Sequence, residues 1–375
     1  MAVRSKWQSL PTEAINPSSL DIDKLAPDEI VDLMMNEDRK MLEAVRRERE
    51  RIAVGVEMIA SSLRKGGRII FVGAGTSGRL GILESAEMPP TFSTDPELVQ
   101  AVMAGGRDAI FAAKEGVEDN YEEGARSITR LHSTKKDIVV GVSASGMTQF
   151  VRGALTRARK TGARIIFVTC DPGTELQTFV DLTIAPGVGA EVIAGSTRLK
   201  AGTATKMVLN MLTTGAMIRI GKTYGNLMVD VHTGSEKLKD RARRIVNIVT
   251  GIDYDDADRL LKKAHWNVKA AIVMQKTSLP YPKALSRLRK AHDSMRQAIG
   301  EDIEPRLRGM LQGHAEAVVF GTAKPQPHAP TDGAATRAKS AESLAHPRAP
   351  RAPRKSPAPA PAPRAATDKS GPPSR

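Results

Sequence analysis

Five short, β-branched apolar runs recur between residues 69 and 184, and they leave little choice of architecture. They are Ile69 to Val72, Leu98 to Met103, Ile138 to Val142, Ile165 to Thr169 and Leu182 to Ile184. Each is long enough for one strand and too uniformly apolar for a sheet with a wet face. Helix-length stretches separate them, so the strands are expected to run parallel with helices on both faces. The sequence therefore predicts an α/β fold built on a doubly wound parallel sheet. On either side helical periodicity takes over. Pro27-Asp28-Glu29 opens a run with apolar residues at Ile30, Leu33, Met34, Met41, Leu42 and Val45. A second run carries Ile52, Val56, Ile59 and Leu63 before Gly66-Gly67. A long helix is predicted from about Lys200 to Ile220. The stretch Thr250 to Ala257 then reads as a turn with an N-cap, followed by short packed helices from Leu260 to Leu288. The expected division is an N-terminal helical segment (1–58), the sheet domain (59–224), a small C-terminal helical subdomain (225–303) and a tail (304–375).

Charge and composition narrow the class. The chain carries a formal +14. Residues 323–375 hold ten Lys/Arg against three Asp/Glu and 12 of the 23 prolines, so half of that excess belongs to the tail. Such sequence cannot bury enough apolar surface to offset its ordering entropy and is expected to be disordered. It is at most a weak electrostatic arm for nucleic acid or an acidic partner. The apolar runs are too short to span a bilayer, and the first residues lack a secretory apolar stretch, so no membrane partner is expected. A single cysteine, Cys170, cannot form an internal disulfide and fits a reducing compartment, so a cytoplasmic protein is expected. The histidines are scattered and no metal-ligand spacing is present, so neither a metal nor a cofactor is predicted.

The strongest chemical signal is a set of turns rich in Gly, Ser and Thr. The first strand runs into Gly73-Ala74-Gly75-Thr76-Ser77-Gly78-Arg79 and then a helix. The glycine spacing is that of a dinucleotide fingerprint, but Glu97 precedes the next strand instead of closing it, and no Gly-Lys-Ser/Thr of a Walker A loop follows. Hydroxyls at a helix N-terminus suit a simpler anion, because free amides already point there. The third strand leads into a similar turn, Ser143-Ala144-Ser145-Gly146-Met147-Thr148. A third turn, Gly195-Ser196-Thr197-Arg198-Leu199-Lys200, adds cations before the long helix. Together Gly75, Thr76, Ser77, Ser143, Ser145, Thr148, Ser196, Thr197, Arg198 and Lys200 are the expected phosphate- and substrate-binding residues.

Proton transfer then falls to carboxylates. Glu84 and Glu87 stand three apart on the helix after the first turn, which would place them on one face, with Pro89-Pro90 expected to end that helix. A second group, Glu115-Gly116-Val117-Glu118-Asp119, is expected within a helical segment after Gly105-Gly106. Spacing alone does not distinguish either group from a solvated helix face.

Longer motifs do. The segments GAGTSGRLGILESAEMPPTF (73–92), AGGRDAIFAAKEGVEDN (104–120), GSTRLKAGTATKMVLNMLTTGAMI (195–218) and GNLMVDV (225–231) closely resemble the N-acetylmuramic acid 6-phosphate etherases. The opening Thr12-Glu13-Ala14-Ile15-Asn16-Pro17-Ser18 and Asp21-Ile22-Asp23 are similar to that family's N-terminal pattern. The resemblance covers roughly Thr12 to Ile299. It implies that 59–224 is a sugar isomerase (SIS) phosphosugar-binding domain, that the protein acts as a homodimer, and that its substrate is a phosphorylated amino sugar. It also implies cleavage of the lactyl ether to give N-acetylglucosamine 6-phosphate and D-lactate in peptidoglycan recycling, by elimination and then hydration, without a cofactor. By motif match the two catalytic glutamates fall on Glu87, as proton donor, and Glu118, as second acid/base. Three positions depart from the family pattern. Met147 and Gln149 replace the arginine and proline of SGRTPYV, and Ile15 stands where many relatives place arginine; Arg198 and Lys200 are the expected compensating cations. Three alternatives are weighed against this reading: a non-catalytic SIS regulator that binds a phosphosugar, a SIS transcription regulator, for which no helix-turn-helix precedes Arg68, and a phosphosugar isomerase or aldolase.

Overall fold

The computed structural model describes residues 10–314 of the chain. Strands β1 (Ile69–Gly73), β2 (Val99–Met103), β3 (Ile138–Val142), β4 (Arg164–Val168) and β5 (Leu182–Ile184) form one sheet. All neighbours are parallel, in the order β2-β1-β3-β4-β5. The chain leaves β1 toward one edge to make β2, then returns to place β3 on the other side of β1. The loops after β1 and β3 therefore diverge at the carboxyl ends of two adjacent strands, where a crevice forms in sheets of this kind.

Alternation along each strand feeds two apolar layers. Ile69 and Phe71 enter one core with residues of α1 (Pro27–Arg47), α2 (Arg49–Arg64), α3 (Gly75–Phe92) and the long α7, while Ile70 and Val72 enter the other. After the short α4 (Asp108–Phe111) come α5 (Tyr121–Arg130) and α6 (Gln149–Lys160), which supply Ile128, Phe150, Val151 and Leu155 to that second layer. Helix α7 (Lys200–Arg219) lies against α2 and α3 through Val208, Leu209 and Leu212. Burying each such side chain stabilises the fold by roughly 1.5–3 kcal/mol before entropy is counted.

A separate apolar core lies within residues 224–303. It is built by α8 (Glu236–Thr250), α9 (Tyr254–Lys263), α10 (Val268–Thr277), α11 (Tyr281–Lys290) and α12 (Met295–Ile299), with Tyr224 and Val229 packed beneath them. The starts of these helices follow local chemistry: Ser235, Asp253, Asn267 and Ser294 each accept an amide of the following helix. Residues 304–314 form one further helix, α13 (Glu304–His314); the remainder of the expected tail lies outside the described residues. No helix among the described residues is long and apolar enough to cross a membrane.

Two local expectations fail. Helix α3 does not stop before Pro89-Pro90 but runs through both to Phe92, where Ser93 (φ +46) turns left-handed and donates its amide to the Pro89 carbonyl. Prolines in a last turn forfeit few internal bonds, so the helix tolerates them. The segment from 105 to 119 is not one helix either. After α4, Gly116 (φ +75) reverses the chain and only a 3-10 turn, Val117–Asp119, follows.

Candidate active site

The register places Gly73 beside Val142, so the turns after β1 and β3 start level with each other. In the first, α3 begins at Gly75, and its N-cap position, Ala74, has no side chain to satisfy the leading amides. Those amides are pinned close to the strand end. A Cβ on Gly73 would lie 2.6 Å from the Gly78 nitrogen, and one on Gly78 would lie 2.8 Å from the Gly73 carbonyl oxygen. Only glycines permit that approach. In the second turn, Gly146 (φ +73) bends the chain, and Ser143 Oγ lies 2.8 Å from Thr148 Oγ1. Thr148 is the N-cap of α6 yet makes no side-chain capping bond to it.

Between these turns opens a cleft of about 310 Å³, at the small end of ligand sites. Gly75, Thr76, Ser77, Ser143, Ser145 and Thr148 all line it, so six expected binding residues meet there. Thr197 joins them from the loop before α7, and Glu118 joins from the 3-10 turn. Arg79 also reaches the cleft and holds α4, from which the chain leads on to Glu118. Its Nε donates to the Ile110 carbonyl and its Nη2 to the Ala109 carbonyl, both at 2.8 Å, capping α4 from one turn inside α3. Helix-start amides, hydroxyls and a guanidinium suit a dianion such as a phosphate ester, and Glu118 sets a carboxylate in the same space.

Four expected site residues do not line this cleft. Ser196 and Arg198 lie on the adjoining loop, with Arg198 exposed. Glu87 is exposed on α3, twelve residues past its start, or about 18 Å along the helix axis. Lys200 requires a correction. It is buried, and its Nζ pairs with Glu37 at 2.5 Å, so its charge serves the interior instead of a ligand. The start of α7 is likewise satisfied from within, because the buried Glu191 accepts the amides of Lys200 and Ala201 at 3.0 and 2.9 Å. Burial raises the Glu191 pKa, and those two amides partly oppose the shift.

Glu84 and Glu87 do not share one environment. Glu84 is buried against α7, where it accepts the Thr213 hydroxyl at 2.7 Å and the Asn210 amide. Burial raises its pKa despite these bonds. Cys170, two residues past the end of β4, is a buried thiol pushed up to about 12, chiefly by burial, which makes it inert at neutral pH. Met147 does not line the cleft, Gln149 opens α6 and donates to the Met147 carbonyl at 3.3 Å, and Ile15 is exposed.

Arg79, Lys114 and, above all, Glu13 line the cleft without being among the expected site residues, and Glu115, grouped with Glu118 in the sequence, lines it too. Nothing in the helical or strand periodicity marked Glu13. The turn signal at Asn16-Pro17 was the available hint, since it fixes the segment that carries Glu13. A larger cavity, of about 1210 Å³, borders Gly221 and His292. Its Arg64, Lys222 and Arg296 are already paired with Glu57, Asp230 and Glu304.

The chain is similar to known proteins over most of its length. Residues 51–159 match the family described as the glucokinase regulatory protein N-terminal SIS domain, and residues 117–215 match the SIS domain. Proteins named N-acetylmuramic acid 6-phosphate etherase are similar over most of the chain. The one from Microcystis aeruginosa is 46% identical over 297 residues, covering 78% of this chain and 97% of the relative. That from Trichormus variabilis is 47% identical over 291 residues, covering 77% and 94%. That from Salinibacter ruber is 47% identical over 296 residues, covering 79% and 95%.

Proposed function

The chain belongs to the N-acetylmuramic acid 6-phosphate etherase family, and from that premise we propose how the cleft performs the family's reaction. The protein is a carbon–oxygen lyase that acts on a phosphorylated amino sugar, releasing D-lactate and N-acetylglucosamine 6-phosphate. A regulator that only binds phosphosugar gives way to this reading, since near-half identity extends over almost the whole length of the etherases.

The phosphate sits on the first amides of α3 and the hydroxyls of Thr76, Ser77, Ser145 and Thr148. Anchoring that end orients the sugar, so binding energy from a remote group is used at the reacting carbons. In the ring-opened sugar the C1 aldehyde acidifies the C2 proton. Glu118, one of three glutamates that line the cleft, exchanges that proton as the second acid/base. Glu87 protonates the ether oxygen as the C3–O bond breaks and the C2–C3 double bond forms, and D-lactate leaves. Water then adds its hydroxyl to C3 and a proton to C2, which restores a saturated sugar.

Glu87, about 18 Å along α3 from its start, does not line the cleft of its own chain. A homodimer in which the exposed face of α3 brings Glu87 of a second copy over Glu118 resolves this. The observation that carries the reading is the meeting of Glu118 with the two hydroxyl-lined turns in one cleft. Incubation with N-acetylmuramic acid 6-phosphate should yield D-lactate in stoichiometric amount. Tight binding without lactate would return the protein to the regulatory class.

A further inference from the structure

We infer that Glu13 is a substrate-binding residue that holds a neutral hydrogen-bond donor of the hexose, a hydroxyl or the acetamido N–H, opposite the phosphate turns. This rests on the proposed reaction and adds a residue to its site. The N-terminal segment crosses the protein as a strap over the loop that precedes α7. Asn16 Nδ2 donates to the Ala190 carbonyl at 3.2 Å and to the buried Glu37 at 3.0 Å, and Ser19 Oγ donates to the Val192 carbonyl at 2.9 Å. The Gly195 amide returns a bond to the Thr12 carbonyl at 3.1 Å. Three hydrogen bonds thus hold residues 12–19 against residues 190–195, and a fourth ties Asn16 to the buried Glu37 carboxylate.

This strap delivers the Glu13 side chain into the cleft. Its carboxylate passes directly over Gly195, where an added Cβ would lie 3.0 Å from Oε2; Gly195 (φ +77) leaves room for it. Among the described residues the carboxylate has no hydrogen-bond or ion-pair partner. In open water that costs nothing, but a sugar closing the cleft strips the hydration away and must supply donors instead. A carboxylate can only accept, and it repels both the phosphate and the lactyl carboxylate. The uncharged hydroxyl and amide groups of the ring are the parts of the substrate it can hold.

The test is Glu13→Ala in the full chain, read by lactate release and, separately, by calorimetric binding of N-acetylglucosamine 6-phosphate and of inorganic phosphate. Loss of a hydrogen bond to a charged group predicts a KM and a product dissociation constant raised about 10- to 100-fold. Inorganic phosphate affinity should not fall, since the variant removes a like charge and leaves the turns intact, and Tm should stay at its wild-type value. Unchanged KM and product affinity would overturn the inference. So would a parallel loss of phosphate affinity, which would make the strap merely a support for the cleft. If the wild-type protein released no lactate, the proposed reaction would fail, yet the product-binding comparison would still decide the role of Glu13.

Discussion

Glu37 on α1 and Lys200 at the start of α7, 163 residues apart in sequence, meet as a buried ion pair at 2.5 Å. Burial alone would raise the Glu37 pKa, but bonds from Lys200, Lys40 and Asn16 outweigh it and bring the value to about 2. A carboxylate depressed on folding stabilises the native state fully above its ordinary value near 4.5, and loses that contribution as pH falls toward 2. Lys200→Met should leave a buried charge short of its main partner and cost about 3–5 kcal/mol in urea unfolding at neutral pH. The variant should also lose less stability than wild type between pH 4.5 and 3. A loss below about 1 kcal/mol would mean that Lys40 and Asn16 suffice for Glu37.

The contact of Gly78 with the end of β1 makes a second prediction. An added methyl would meet Met103 Cγ at 2.7 Å and the Gly73 carbonyl oxygen at 2.8 Å. The methionine can move; the strand carbonyl cannot. Gly78→Ala should therefore push α3 away from β1, lower stability by about 1–3 kcal/mol and weaken inorganic phosphate binding. Unaltered phosphate affinity by calorimetry would show that the α3 amides are not the anion site.

Arg79 supplies a third. Its guanidinium caps two carbonyls of α4 at once, a geometry that a lysine cannot reproduce. Arg79→Lys keeps the positive charge beside the cleft but loosens the segment that leads to Glu118. The expected result is a kcat reduced about tenfold or more with KM little changed, since a displaced acid/base affects the chemical step. A raised KM at constant kcat would instead assign Arg79 to phosphate binding.

The parallel sheet was legible because each strand is a continuous apolar run, and burial on both faces leaves no other pattern. That the turns after β1 and β3 would meet was legible for a related reason: the carboxyl ends of adjacent parallel strands open onto one crevice. Lys200 misled because a cation beside a Ser-Thr turn looks the same in sequence whether it faces solvent or a buried Glu37 in a helix 163 residues away. Glu84 and Glu87 misled for a geometric reason, since residues three apart on a helix can straddle the edge of its buried face. Glu13 did not stand out as a site residue because its position depends on long-range bonds from Asn16 and Ser19, and the local turn at Asn16-Pro17 does not tell where they reach.

The separation of Glu87 from Glu118 allows a decisive test of the shared site. Each single variant, Glu87→Gln or Glu118→Gln, should release no measurable lactate while keeping its fold. If each cleft takes Glu118 from one copy and Glu87 from the other, a mixed dimer of the two variants contains one intact site and one doubly altered site. Random reassortment makes about half of the dimers mixed, so mixing should restore roughly a quarter of wild-type activity. Both variants should be unfolded and refolded together, with separately refolded samples as the control. Lactate release from the co-refolded sample alone would support exchange of Glu87 across the dimer. No recovery, with mixed dimers verified by mass, would place both carboxylates in one chain and require α3 to move.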